Sequence, residues 1–346
     1  MSASIQVPQS APLEFADQVD FTGGLNMSDE WFKLGQNETP ECLNVVFDSM
    51  GGFRSRRGAV RLNTVGEASM PSSLWSYGDG STYQMMAHVG TSLRYSTGGN
   101  FSAAGTLGTL SGPSFGATYS GIGYVARNAQ DTTMSWNGTT LSALTDAHLG
   151  YDADYNSPSG TKAPRAKFVT SQHDRLWLGY TSEGGTDFPN RVRFSFVGDP
   201  ASYLSTDYID IDVGTTGGDE ITAMVAVGDH VLVFKKHSVH MIMGYDQASF
   251  QVIDIRNGLG AVSQQGVTVG ERGVFFFDHS EGLQLYVPPT QRGNDSDPFI
   301  DVFSKLRRLM RDDVIDDTTV AAEVQVGIVG DQVWLFLPNL SLAEDF

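Results

Sequence analysis

ITAMVAVGDHVLVFKKHSVHMIMGYDQASFQVIDI, residues 221–255, is the stretch that decides the fold. It breaks into four pieces: ITAMVAVGD, HVLVFKKHS, VHMIMGYDQ and SFQVIDI. Each alternates or runs apolar for several residues and is rich in Val, Ile and aromatics, which predicts a strand. Gly-Asp, His-Ser and Asp-Gln mark the breaks between them. Four strands joined by tight turns predict one antiparallel meander.

The same unit recurs with a period of about 40 residues. AKFVTSQHD, RLWLGYTSE, NRVRFSFVGDP and DYIDI precede it across 166–211. GVTVGER, GVFFFDHSE, GLQLYVPP and FIDVF follow it across 266–303. Looser copies occupy 73–99 and 114–138, and VAAEVQVGIVGDQVWLFLPN (320–339) supplies two further strands. A sheet this small cannot bury both of its faces alone. A radial arrangement, in which each sheet packs against two neighbours, removes that difficulty. The expectation is therefore an all-β chain forming a single β-propeller across 21–346. It would have six blades of four antiparallel strands, with seven as the alternative if the loose copies are counted differently.

Closure of the ring requires partners for the two strands of 320–339. ECLNVVF (41–47) and FRSRRGAVRL (53–62) read as strands around a turn at 48–52, so a composite last blade of about 41–62 and 320–339 is expected. Residues 1–20 read as an extended arm. FSKLRRLMR (303–311) predicts one short rim helix, with Phe303, Leu306, Leu309 and Met310 on one face. Lys305, Arg307, Arg308 and Arg311 lie on the other.

Forty acidic against 22 basic residues give the 346-residue chain a net charge of −18. That balance argues against wrapping DNA or an anionic membrane, and suits a surface that nucleic acid slides past. Cys42 is the only cysteine, which excludes an intrachain disulfide and a CxxC metal site. The start, MSASIQVPQSAPLEF, has neither the basic nor the apolar region of a secretory signal, and synthesis in the cytoplasm is expected. No run of 18 apolar residues occurs, so membrane insertion is not expected.

The sequence offers little for catalysis. It contains no HExxH, no GxSxG and no phosphate-binding glycine loop. Catalytic residues, a cofactor and enzyme activity are accordingly not expected. His237 and His240, in KKHSVH, read as polar residues of a turn rather than a metal pair. Asp152, Asp154 and Asn156 alternate like the opening of a calcium loop. Ser157 stands where the loop glycine belongs and no glutamate closes it, so a solvated acidic loop is the reading. NDSD (294–297) is of the same grade. SYGDGSTY (76–83) partly resembles the Asp-box turn of sialidase-like propellers, with Gly78 in place of the carboxylate. Of the tryptophans, Trp31, Trp75, Trp136, Trp177 and Trp334, the runs RLWLGY and QVWLFL make Trp177 and Trp334 core residues. A glycan-binding or glycan-cleaving propeller is the alternative function, and it needs aromatics and carboxylates converging on one face.

FTGGLNMSDEWFKLGQNETPECLNVVFDSMGGFRSRRGAVRLN, residues 21–63, resembles the N-terminal signature of phage tail proteins. The elements are Gly23, Gly24, Leu25, Gln36, Glu41, Asn44, Val45, Asp48, Gly51, Gly52, Phe53, Arg57 and Gly58. The family's Arg-Pro-Gly is Arg56-Arg57-Gly58 here. RFSFVGDPASY (193–203) and the blades at 219–244 and 259–286 also match, and the group is similar to tail nozzle (tail tubular protein B) proteins of short-tailed phages. The resemblance implies a structural virion protein: a propeller subunit in a ring, a hexamer in nozzles, around the DNA exit channel. Its partners would be copies of itself, neighbouring tail proteins such as an adaptor or tail fibre, and DNA passing without specific binding. Within it, Gly51, Gly52, Arg54, Arg56, Arg57 and Gly58 form a structural clasp. The glycines turn the chain, Arg54 and Arg56 share one strand face, and Arg57 and Arg61 share the other, so no continuous basic patch forms. Carboxylates of adjacent blades or subunits are the expected partners of these arginines.

Overall fold

Strands that are apolar on both faces need cover on both sides, and RLWLGY, HVLVFK and GVFFFD, each the second strand of its repeat, are of this kind. Val274 to Phe277 of GVFFFD are all buried, whereas the fourth-strand sequence QVIDIRN has Gln251, Ile253, Asp254 and Asn257 exposed. A computed structural model describes residues 23–26, 33–35, 37–39, 45–47, 53–55, 62–64, 66–67, 69–144, 164–204, 206–211, 219–291, 297–304, 323–330 and 332–337. The chain divides into two units, 1–59 with 304–309 and 60–303 with 310–346.

In the smaller unit, β1 (Gly24–Leu25) and β2 (Glu38–Thr39) pair in parallel. The Glu38 carboxylate accepts hydrogen bonds from Asn26 Nδ2 at 2.8 Å and from the Gly35 N–H at 3.1 Å. β3 (Val45–Phe47) and β4 (Phe53–Ser55) form an antiparallel pair, with Phe47 opposite Phe53 and Val46 opposite Arg54. These are two of the expected strands. Most of the expected rim helix, 305–311, lies outside the described residues.

Among the described residues the larger unit is all-β, in six successive strand groups. The first holds β5 (Pro71–Gly78), β6 (Tyr83–Val89), β7 (Ser92–Ser96) and β8 (Ser102–Thr106). The second holds β9 (Phe115–Tyr119), β10 (Ile122–Arg127), β11 (Asp131–Trp136) and β12 (Leu141–Ala143). The third holds β13 (Arg165–Gln172), β14 (Arg175–Glu183), β15 (Thr186–Phe194) and β16 (Tyr208–Asp210). The fourth is β17 (Ile221–Val227), β18 (His230–Lys235), β19 (Ser238–Met243) and β20 (Gln251–Asn257). The fifth is β21 (Val267–Gly270), β22 (Gly273–Asp278), β23 (Gly282–Tyr286) and β24 (Phe299–Asp301). The sixth is the hairpin β25 (Gln325–Val329) and β26 (Gln332–Phe336). All pairings within the groups are antiparallel. The second and third groups join into one eight-stranded sheet through a single pair, Thr132 opposite Arg165.

Separate apolar clusters lie between consecutive groups. Tyr77, Met86 and Leu93 of the first meet Val125 and Trp136 of the second. Tyr124 and Ala126 meet Val169, Leu176 and Leu178. Phe168, Trp177 and Phe194 meet Ile221, Met224 and Ile242, and Phe234 and Met241 meet Phe276 and Tyr286. The second, third and fourth groups thus each contribute to two cores. Rings in these interfaces adopt tilted or edge-on arrangements, as with Trp177 and Phe250 at 5.0 Å.

One backbone position shows how closely the strands approach. Gly273 opens β22 at φ +135°, and a Cβ there would sit 2.0 Å from the Tyr286 carbonyl oxygen. Gly273→Ala combines a disfavoured backbone angle with that clash, and is expected to cost about 3 kcal/mol of stability. Urea denaturation of the two proteins measures the difference; a loss below about 0.5 kcal/mol would refute the tight approach of β22 to β23.

Candidate functional site

Several residues singled out from the sequence lie outside the described ones: Gly51, Gly52, Arg56, Arg57 and Gly58 of the clasp, the Asp152, Asp154 and Asn156 loop, and Trp31. Arg54 stands in β4 opposite Val46. Of the NDSD stretch, Asp297 is described, and it pairs at the surface with Arg256 at 2.6 Å. Among the described residues no group of three or more His, Cys, Asp and Glu side chains could hold a metal ion.

The SYGDGSTY turn is built on Asp79. Its Oδ1 accepts from the Ser81 N–H and hydroxyl, both at 2.8 Å, and from the Thr82 N–H at 2.6 Å. These bonds, rather than a ligand, hold its carboxyl below the usual range. Asn137 and Asp278 make the same turn in the second and fifth groups. All three are local folding devices.

The reading of His237 and His240 as a pair of turn residues is corrected. Only His237 occupies the turn, where its ring meets that of His279 at 4.9 Å. His240 lies within β19, fully buried, opposite Asp254 of β20. Its Nδ1 is 2.7 Å from Asp254 Oδ1, and its Nε2 is 2.8 Å from Ser238 Oγ. An ionised carboxylate only accepts, so Nδ1 carries the proton and Nε2 accepts from the serine hydroxyl. Serine, imidazole and carboxylate follow one another as in a nucleophilic triad. Period-two geometry explains it: Ser238 and His240 share one face of β19. Yet Ser238 is 4% exposed and His240 is sealed, so no substrate carbonyl can reach the hydroxyl. This is a buried relay that ties β19 to β20.

A second buried cluster lies on β14–β16. Glu183 takes two bonds from Arg193, both 2.6 Å, and one from Thr181 at 2.7 Å. Burial pushes its carboxyl up, but the hydrogen bonds and charge of Arg193, with Thr181 and Arg191, outweigh that and hold it low. Arg191 is paired with Asp210 at 2.7 Å and packs against the rings of Phe188 and Tyr208. With every partner satisfied, the cluster is architecture.

The remaining candidate is a cavity of about 790 Å³ bounded by all six groups. Its walls come from Pro71 and Ser72, Phe115, Lys167, Glu220 and Thr222, Gln264 and Gln265, and Glu323 and Gln325. Lys167 and Glu220 are 3.4 Å apart there. A smaller cavity of about 360 Å³ shares Phe115, Gln264, Gln265 and Gln325 with it. Leu74, Trp75, Val169, Val267, Val326 and Phe336 supply the apolar part of its wall. Gln265 Nε2 donates to the Ser72 carbonyl, joining the fifth group to the first. Repetition of the meander foretold the strands that line these cavities, but not which side chains meet there.

No protein-family model matches the chain, and no curated protein matches it. Solved structures align with parts of the chain. The extracellular domain of a hybrid two-component system from B. thetaiotaomicron aligns with a TM-score of 0.42 at 13% identity, over 69% of this chain and 29% of that one. BBS1N, solved in complex with ARL6DN, aligns at 0.42 and 11% identity, over 70% of this chain and 72% of that one. Apo AztD from Citrobacter koseri aligns at 0.41 and 8% identity, over 85% and 73%. No functional conclusion rests on likenesses of this size.

Burial holds His240 below the ordinary imidazole value, with Lys235 adding to the effect against the pull of Asp254. Burial lowers His88 and His279 as well. A native state that keeps these rings neutral binds fewer protons than the unfolded chain. Stability is therefore fully present above the unfolded value of about 6.5 and falls as pH drops through it. Tm is expected to fall between about pH 7.5 and 5.5, and His240→Gln to flatten that slope. Thermal melts across the range measure it; an identical slope in the variant would remove His240 from the relation.

Proposed function

We propose that the chain is a structural virion protein of a tailed bacteriophage, a tail nozzle-type β-propeller subunit that assembles with copies of itself into a ring around the DNA exit channel. The observation that carries this reading is an order of features: the 21–63 signature, then six successive antiparallel strand groups. Apolar cores between consecutive groups from the first to the fifth, and a cavity bounded by residues of all six, support six blades around one axis. The hairpin β25–β26 supplies half a blade. In this proposal β3–β4 supplies the other half, and Arg54, Arg56 and Arg57 clasp it to carboxylates of adjacent blades or subunits.

The net charge of −18 then has a mechanical role. Carboxylates along the channel repel the phosphate backbone, so the genome passes without being held. Neighbouring tail proteins dock on the ring, and the protein performs no chemistry of its own.

Light scattering and electron microscopy of the purified protein test assembly, and mass spectrometry of a tail fraction tests location. The expected results are a closed ring and presence in the particle. Replacing Arg56 and Arg57 together with alanine is expected to lower Tm or to disperse the ring. Particles lacking the protein would reject the virion assignment, and intact rings with impaired DNA release would reassign the arginines to DNA.

A further inference from the structure

Two adjacent amides in the shared wall of the cavities are preset for a ligand. Gln264 and Gln265 lie in the short 3-10 turn Gln264–Gly266, which Ser263 caps by accepting from the Gly266 N–H. Gln264 Oε1 accepts from the Met224 N–H at 2.7 Å. Gln265 is anchored the opposite way, through its Nε2 to the Ser72 carbonyl. A side-chain amide has one donor end and one acceptor end, so fixing one end decides what the other can offer. Gln264 is left with its NH2, and Gln265 with its carbonyl oxygen. Adjacent residues therefore offer one donor and one acceptor to the wall that the two cavities share, with little rotamer freedom left to lose on binding.

Beside them stand aromatic surfaces. Trp75 and Phe115 line the smaller cavity. The Trp75 ring lies against the β9 backbone, where a Cβ on Gly116 would come within 2.3 Å of it. Its indole N–H is buried without an acceptor among the described residues, which is uncommon for a polar atom that has no role.

We propose that the smaller cavity is a binding site for a neutral saccharide. A pyranose carries vicinal hydroxyls, each both donor and acceptor, and an apolar C–H face. The hydroxyl edge matches the paired amides, and the C–H face matches the aromatic wall. Few precisely placed polar groups in a mostly apolar concavity is the usual make-up of a small-molecule site. An extended peptide suits the cavity less well, because its wall is assembled from short pieces of five groups. The proposal does not rest on the virion assignment; a glycan-binding site would serve attachment to a host surface equally in another setting.

Saturation-transfer NMR on the full chain tests it. The probes are the methyl pyranosides of glucose, galactose, mannose and N-acetylglucosamine, the disaccharides maltose and lactose, and triglycine. Transfer to at least one saccharide and none to triglycine is expected. Gln325→Trp, at an exposed position in the wall, should abolish the signal by filling the cavity. Gln264→Met, which removes the amide, should weaken binding by about 10-fold. Tyr245→Ala, at an exposed ring that lines neither cavity, should leave binding unchanged. The proposal fails if no saccharide gives transfer, if triglycine alone does, if both folded cavity variants bind as the parent does, or if Tyr245→Ala is the variant that loses binding.

Discussion

Cover for both faces of each sheet is the constraint from which the larger unit follows. A four-stranded sheet whose central strands read VLVF or VFFF has no face it can leave to water. Another sheet must lie on each side, as one does for the second, third and fourth groups. Removing apolar surface from water stabilises by about 25 cal/mol per Å², so leaving one face bare would cost more than most single domains hold in reserve. The turns at Asp79, Asn137 and Asp278 are subordinate to that demand. They hold hairpins at the length the stacked faces require.

One cluster of charges inside the unit is matched group by group. The chain carries a large excess of acid, yet Glu183, Arg191 and Arg193 are buried together with every strong donor and acceptor matched. Arg193 also donates to the Leu204 carbonyl, and Lys235 reaches the Ile211 carbonyl at 2.7 Å. Such groups add little net stability over an apolar filling, but a shift in register would leave them unpaired. They fix which strand lies beside which, where apolar alternation alone would tolerate a slip of two residues.

The strands were largely legible in the sequence, because alternation and turn residues are local signals. The quoted 221–255 stretch gives β17, β18, β19 and β20 nearly residue by residue, and the loose copies at 73–99 and 114–138 correspond to real meanders. His240 was misread because KKHSVH contains both a turn and a strand start, and only the pairing of β19 with β20 brings Asp254 opposite it. The cavity was not legible at all. Gln265 and Ser72 are 193 residues apart, and no local pattern marks two glutamines as lining one cavity. A conserved spacing within a repeat announces the scaffold; the side chains that depart from the repeat carry the individuality, and these cannot be recognised until the repeats are stacked.

The contrast between second and fourth strands has a consequence for how such a molecule can change over time. The fourth strands β8, β12, β16 and β20 have largely solvent-facing residues, while the apolar clusters lie against their inner neighbours. New sequence spliced beside a fourth strand would meet water rather than a packed interior, and its ends would rest on a ladder already held by three strands. Growth at the periphery is therefore cheap and growth at the centre is not. A lineage built on this plan can acquire appendages, with their own partners, while its interior stays nearly constant.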